Sequence, residues 1–241
     1  MSEIFKVSFI KRVGLIIKSF IKFWLYFVIA TILIILLMRW IDPFFSSIML
    51  QRQVEALIDG KIEFINHDWI DFDEVSPYVP IALIAAEDQN FSEHFGFDFE
   101  QIKKAYKDIQ RRKRFRGAST ISQQLAKNLF LWEGKSFVRK GVEAYFTVLI
   151  EALWSKKRII EVYMNTIELG DLTFGVATAS EKFLKKDASK LTSSEAALIA
   201  SVLPNPKKFL IARPSGYVRA RQSWVLRQIN LLGGKDYLKN L

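Results

Sequence analysis

Four short stretches of this chain combine residue types that can do chemistry. In the first, Glu87-Asp88-Gln89-Asn90-Phe91-Ser92-Glu93-His94-Phe95-Gly96-Phe97-Asp98, an acid follows the apolar run Ile81–Ala86. A carboxyl that emerges from a greasy helix is desolvated, which disfavours its charged form, raises its pKa and makes it a better general base. Glu87 and Phe91 share a helical face at i and i+4, and His94-Phe95-Gly96 reads as a turn. The same spacing also suits an ordinary helix end carrying solvated acids, so spacing alone leaves both readings open.

The second stretch, Gly117-Ala118-Ser119-Thr120-Ile121-Ser122-Gln123-Gln124-Leu125-Ala126-Lys127-Asn128, opens a helix from small residues and hydroxyls. Such an end offers backbone N–H groups to an anion. Gln123 and Lys127, and Gln124 and Asn128, align at i and i+4, giving a stripe of amides and a cation suited to sugar hydroxyls and phosphate. A capped amphipathic helix explains the start of this stretch but not its two adjacent glutamines. The third, Arg139-Lys140-Gly141-Val142-Glu143, sets Arg139 and Glu143 one helical turn apart, which is also the spacing of a plain surface ion pair. The fourth, Lys157-Arg158-Ile159-Ile160-Glu161-Val162-Tyr163-Met164-Asn165, aligns Lys157, Glu161 and Asn165 on one face, where a structural role is expected.

Helices must position these groups. Apolar residues recur at helical spacing over Ile81–Phe91, Phe99–Arg111, Thr120–Phe130, Val138–Trp154, Lys157–Glu168 and Ser193–Leu203. Thr192-Ser193-Ser194-Glu195 has the form of an N-cap, and Pro204 and Pro206 stop that helix. No alternating strand and no fixed-length repeat stands out. With only 11 Gly and 6 Pro in 241 residues, a mostly α domain follows. The absence of cysteine excludes disulfides and thiolate metal sites, and two histidines, His67 and His94, make a multi-histidine metal site an unpromising expectation.

Ahead of this domain, the run from Phe23 to Met38 carries no charge, and Trp40 and Ile41 extend its apolar character past Arg39. A transmembrane helix is expected over 23–41, because roughly 20 residues cross a bilayer core of about 30 Å. Lys22 and Arg39 can snorkel, and Trp24, Tyr26 and Trp40 suit the interfaces. The basic segment 1–22 holds Lys6, Lys11, Arg12, Lys18 and Lys22 against Glu3, which places the N-terminus in the cytoplasm and the rest outside. No small-x-small cleavage site follows the run, which argues for an anchor over a signal peptide. Residues 42–80, with Pro43, Pro77, Pro80 and an acidic stretch, read as a connector to a domain at 81–241. The net charge of +10 points to a polyanionic partner. Beside a bilayer, the basic run Lys103–Arg116 meets lipid or lipid-linked phosphate rather than nucleic acid. Phe115, Leu129, Phe130, Leu131 and Trp132 either dip into that bilayer or belong to the core.

Taken in order, these motifs resemble the family 51 glycosyltransferases, the peptidoglycan transglycosylases. That family's pattern runs E-D-x-x-F-x-x-H-x-G, then G-x-S-T-I-T-Q-Q-x-x-K-N, then R-K-x-x-E, then a K-x-x-I-L-E-x-Y-L-N-like segment. A fifth, A-A-x-L-A-x-x-L-P-like segment is echoed by Ala196–Pro204. The resemblance covers 81–214, and five ordered motifs make chance agreement negligible. Ser122 stands for the usual Thr, Met164 for a usual Leu, and Lys104 where many relatives carry Arg. The short length and single anchor look like the monofunctional biosynthetic members, with no room for a transpeptidase domain.

The resemblance implies a lysozyme-like helical catalytic domain with a membrane-proximal lobe, held at the bacterial inner membrane with the catalytic domain periplasmic. It implies lipid II and the growing glycan chain as substrates, joined through an inverting β-1,4 transfer with release of undecaprenyl pyrophosphate. Other cell-wall synthesis and division proteins are expected partners, and nucleic acid is not. Glu87 would be the base. Lys127, Arg139 and Lys140 would offset the leaving pyrophosphate, with Mg²⁺ or Mn²⁺ as an optional rather than obligatory aid. Glu143 would orient those cations or assist at the phosphate. Ser119, Thr120, Gln123, Gln124 and Asn128 would line the groove, Lys104 would meet the donor phosphate, and Asp88, Phe91 and His94 would shape the Glu87 turn. The alternative is a lytic transglycosylase or lysozyme-like enzyme, in which a glutamate acts as acid and a glycan leaving group has no need of the cations.

Overall fold

The computed structural model describes residues 2–111, 119–134 and 136–241, with side chains from Gly14 onward. They fall into two compact units, Met1–Asp42 and Pro43–Leu241. The first is a single helix, α1 (Ser2–Leu37), whose segment Gly14–Leu37 is long and apolar enough to cross a membrane. The helix begins upstream of the expected 23–41 and ends before it. Leu15, Ile16, Ile17, Phe20 and Ile21 carry apolar surface past Lys18 and Lys22, whose stems can snorkel. At its end Met38, Arg39 and Trp40 leave the helix in a turn, with the Arg39 guanidinium 5.3 Å from the Trp40 ring centroid.

The second unit is mostly helical. Around α3 (Tyr78–Glu87) pack α7 (Lys156–Thr166), α9 (Ser193–Ser201) and α10 (Gly216–Leu231). Every residue of α3 from Val79 to Ala85 is buried, because neighbours cover it on all sides. Small residues make this crowding possible: Ala82 and Ala85 on α3 and Ala196, Ala197 and Ala200 on α9 are all buried. A second layer holds α5 (Ile121–Phe130), packed on α6 (Phe137–Leu153), on α7 and on α2 (Ser47–Ile58). Hydroxyl N-caps start most of these helices: Ser46, Thr120, Ser136, Ser155, Thr192 and Ser215 each accept from a backbone N–H of the first turn. The expected helices are found within a few residues of their predicted bounds, and α4 (Phe99–Gln110) is among them.

Several elements were not expected, among them α2, three short strands, the single-turn α8 (Val176–Ala179) and α10. Within residues 42–80 the chain forms α2 and the short strand β1 (Asn66–His67). β1 pairs in parallel with β3 (Thr173–Phe174), which pairs antiparallel with β2 (Glu168–Gly170) in the order β1-β3-β2. Strands of two and three residues are too short to show alternation in sequence. The helix α10 follows Pro214 and Ser215, which stop the preceding segment and cap the new one.

The fourth motif fastens the 66–73 segment to α7. The Asn165 amide bonds Ile70 in both directions (3.0 Å from Ile70 N to Oδ1, 2.8 Å from Nδ2 to Ile70 O), and Glu161 accepts from Phe72 N at 2.8 Å. Lys157 pairs with Asp73 at 2.7 Å. Its role is structural, as its spacing suggests. Gly175 (φ +79°) belongs to the same junction, because a Cβ there would lie 2.9 Å from the Asn165 carbonyl oxygen.

Candidate active site

Glu87 is the last residue of α3, and its carboxylate is held from two sides. Gln124 Nε2 on α5 donates to Oε2 at 3.0 Å, and Arg221 Nη2 on α10 donates to Oε1 at 3.0 Å. The Tyr163 hydroxyl on α7 donates to Gln124 Oε1 at 2.9 Å. The direction of this chain follows from the chemistry. A carboxylate only accepts, so the amide must turn its NH₂ toward Glu87 and its oxygen toward the phenol. Burial raises the Tyr163 pKa well above its ordinary value, helped by the nearby Glu87 and Asp88 charges, so the phenol keeps its proton.

Glu87 itself is 17% exposed. Burial raises its pKa above the ordinary carboxyl range. The bonds from Gln124 and Arg221 oppose that rise, and Asp88 adds to it. Each carboxylate oxygen has about two lone-pair sites, so one bond to each leaves both able to accept a proton.

The residues after Glu87 hold the turn and the start of α5. Asp88 accepts from His94 Nε2 at 2.9 Å and from the Ile121 backbone N–H at 2.9 Å. Phe91 is fully buried, 6.4 Å edge-on to the His94 ring, with the Lys156 ammonium 4.5 Å from its centroid. Gly96 adopts φ +79°, and a Cβ there would meet Thr147 Cγ2 at 2.7 Å, so the turn needs glycine on both counts. Its carbonyl accepts from Thr120 Oγ1 at 2.7 Å. The first two motifs are thus one hydrogen-bonded unit.

Two residues expected to line the groove, Thr120 and Gln123, also build the start of α5. Thr120 and Gln123 form a capping box: Gln123 N donates to Thr120 Oγ1, and Thr120 N donates to Gln123 Oε1 at 3.1 Å. Both residues are largely buried, and the Gln123 amide oxygen is committed to the cap. The T-x-x-Q spacing is the signal that assigns them to the cap. Ser122 is fully buried and bonds the buried carboxylate of Glu151, which Lys156 also holds at 2.8 Å. Its hydroxyl therefore faces the interior. Ser119 is exposed ahead of the helix. Gln124, Lys127 and Asn128 are the members of the amide stripe that face open space. They line a cavity of about 310 Å³ with Arg52, Glu133, Tyr163, Glu168, Asn205 and Lys207.

Lys127, Glu133 and Ile48 also line a neighbouring cavity of about 350 Å³ that reaches Trp132 and Arg139. Here stands the third motif. Glu143 is buried on α6 and accepts from Arg139 Nη1 at 3.0 Å and from Lys140 Nζ. The surrounding protein lowers the Lys127 pKa below the ordinary lysine value. Arg139 and Lys140 add to the fall, while Glu143 and Glu133 oppose it. Lys127, Arg139, Lys140 and Glu143 are therefore electrostatic neighbours.

Lys104 lies apart on α4, where Lys103, Lys104, Lys107, Asn90, Glu100 and Gln101 line a cavity of about 390 Å³. Residues 112–118, which hold the rest of the basic run together with Phe115, Gly117 and Ala118, lie outside the described residues. Leu129 and Leu131 are buried and Phe130 stacks on Phe146 at 4.4 Å, which makes these three core rather than membrane contacts, whereas Trp132 is half exposed.

Mg²⁺ takes one or two carboxylates alongside substrate phosphates. Glu143, the buried carboxylate on this wall, is already held by two cations. Among the described residues no group of three or more His, Asp or Glu side chains is arranged to hold a metal.

Sequence reasoning missed Arg221 and Tyr163. Tyr163 lies inside the fourth motif, on the opposite side from the residues that fasten the 66–73 segment. Arg221 follows the stretch in which motifs were recognised.

Residues 55–230 match the family model described as Transglycosylase. The chain is 55% identical over 197 residues to a biosynthetic peptidoglycan transglycosylase of Shigella sonnei (strain Ss046), covering 81% of each chain. It matches the proteins of that name from Escherichia coli (strain K12) and Escherichia coli O139:H28 (strain E24377A / ETEC) to the same extent.

Proposed function

The chain belongs to the transglycosylase family, and from that premise we propose that it polymerises lipid II into β-1,4 glycan strands with Glu87 as general base. The acceptor's 4-hydroxyl is a poor nucleophile and gives its proton to Glu87 as it attacks the donor's anomeric carbon. That carbon inverts, and the bond to the undecaprenyl pyrophosphate breaks. A pyrophosphate leaves without a strong acid but needs positive charge, which Lys127, Arg139 and Lys140 supply. Glu143 holds the latter two in place. In the proposed chemistry these protein cations offset the pyrophosphate, with Mg²⁺ or Mn²⁺ as an optional aid.

The observation that carries this reading is the pairing of a desolvated carboxylate on α3 with a cationic wall reached through Gln124 and Lys127. A glycan-cleaving enzyme would have no use for that wall. The reading includes single-pass anchoring by α1 at the inner membrane, with the N-terminus cytoplasmic, in keeping with Lys18 and Lys22 and the cations before them. Around α2 the side chains of Leu50, Val54, Leu57, Ile58, Ile62 and Phe64 are exposed, an apolar surface suited to lipid contact. Cell-wall synthesis proteins are the expected further partners.

The test is incubation of the full chain in detergent with lipid II, followed by separation of glycan products, beside incubation with purified sacculi. Polymer from the first and no soluble muropeptides from the second is the expected result. Muropeptide release without polymer would overturn the proposal.

Lys127 adds a pH prediction. It must be protonated to meet the pyrophosphate, and its folded-state pKa is lowered. Activity should therefore fall as pH rises through a value below the ordinary lysine range. In Lys127→Arg the cation no longer titrates below about pH 12. The alkaline limb of kcat/KM should move upward in that variant, even though its rate at neutral pH drops through altered geometry. An unmoved limb would remove Lys127 from the phosphate site.

A further inference from the structure

Arg221 reaches Glu87 from the C-terminal helix, and none of the motifs includes it. Its Nη2 donates to Glu87 Oε1 at 3.0 Å and lies 3.4 Å from the Ala86 carbonyl oxygen, so one nitrogen spans the last two residues of α3. Its guanidinium lies 5.7 Å from the Trp224 ring centroid, one turn along α10, and its side chain is 20% exposed. Nε is buried without a hydrogen-bond partner among the described residues. The 3.0 Å hydrogen bond ties the guanidinium to the carboxylate it faces.

We propose that Arg221 is a positioning residue that holds Glu87 ionised and aimed, opposite Gln124, so that the Glu87–Arg221 pair sets the acid limb of polymerisation. This rests on Glu87 being the base. Without a cation, burial would raise the carboxyl's pKa further and shrink the ionised fraction available as a base. With a cation at one oxygen and an amide at the other, the carboxylate forms while each oxygen keeps a lone-pair site for the acceptor hydroxyl.

The other titratable groups around α3 are placed differently. Asp88, on the same turn, bonds His94 and Ile121 N. From α7, Tyr163 acts through Gln124. On α9, Glu195 pairs with Lys186. Beyond α10, the Lys235 ammonium lies over the Tyr78 ring, and the Tyr237 hydroxyl bonds Ser92. Among these groups Arg221 is the cation in contact with the Glu87 carboxylate.

The experiment is kcat/KM for lipid II polymerisation as a function of pH, on the full chain in detergent, for wild type, Arg221→Gln, Arg221→Met and Arg221→Lys. In the Gln and Met variants the acid limb should move to higher pH by about one unit, a tenfold loss below the limb, with much of the rate regained above it. KM should change less than the rate. Arg221→Lys should recover part of the shift. The Met variant, whose chain fills the space against Trp224, carries the test if the Gln variant does not fold. A uniform loss at every pH would make Arg221 merely structural. A raised KM with a fixed limb would make it a substrate contact. Either result, with Glu87→Gln inactive, overturns this inference alone, whereas an active Glu87→Gln overturns the base assignment beneath it.

Discussion

Glu87→Gln is expected to cut lipid II polymerisation by about 10³-fold, within the range that a positioned general base contributes, while leaving the fold intact. The substitution keeps length and shape and removes the proton-accepting oxygen. Its amide meets the same neighbours. The carbonyl oxygen can still accept from Arg221, and the new NH₂ faces Gln124. The Gln124 amide then turns over, presenting Oε1 to residue 87 and Nε2 to the Tyr163 oxygen, which can accept as well as donate. The Tyr163 O–H gives up its acceptor in this exchange, but a desolvated charge is lost as well, so the thermal midpoint should move by only a few degrees. A variant that melts normally and still makes more than about a tenth of the wild-type product would sink the assignment. In the wild type, the raised pKa of Glu87 gives the sign of the acid limb. A base works deprotonated, so activity falls as pH drops through a value above the ordinary carboxyl range.

How much of this was legible in the sequence differs from residue to residue. The environment of Glu87 could be read because desolvation follows from its own helix, the uninterrupted apolar run before it. Helices α3, α5 to α7 and α9 were legible for a related reason, since each has a face or a whole length dictated by burial, whereas α4 was legible from its helical spacing although none of its residues is buried. By contrast, α2 carries much of its apolar surface outward, so its pattern does not predict a core face. At Thr120 and Gln123 the T-x-x-Q spacing also encodes a cap, and the structure makes that local hydrogen-bond pair. Arg221 is 134 residues from Glu87. No local rule links the two, because their meeting depends on α10 packing against α3. The Glu143 cluster is the intermediate case: its i,i+4 spacing is that of an exposed pair worth a few tenths of a kcal/mol, and only burial separates it from one.

That burial makes Arg139→Ala the second large effect. Arg139 has two duties, which the single variant confounds. It satisfies a buried carboxylate, and it supplies charge toward the pyrophosphate. Losing a hydrogen bond to a buried charge costs about 1.5–3 kcal/mol, and Lys140, which still holds the other Glu143 oxygen, keeps the cost from rising further. Losing a preorganised charge beside a developing anion costs about 10²–10³-fold in rate. The double variant Arg139→Ala/Glu143→Gln separates the two. Neutralising Glu143 removes the stranded charge, so stability should return most of the way to wild type. If Arg139 served only to satisfy Glu143, polymerisation would return with it. Because the cation itself meets the leaving group, the double variant should melt near the wild-type temperature and remain at least about 10²-fold slow on lipid II. Recovery of both would reduce the third motif to a structural ion pair and leave the pyrophosphate to Lys127 and Lys140.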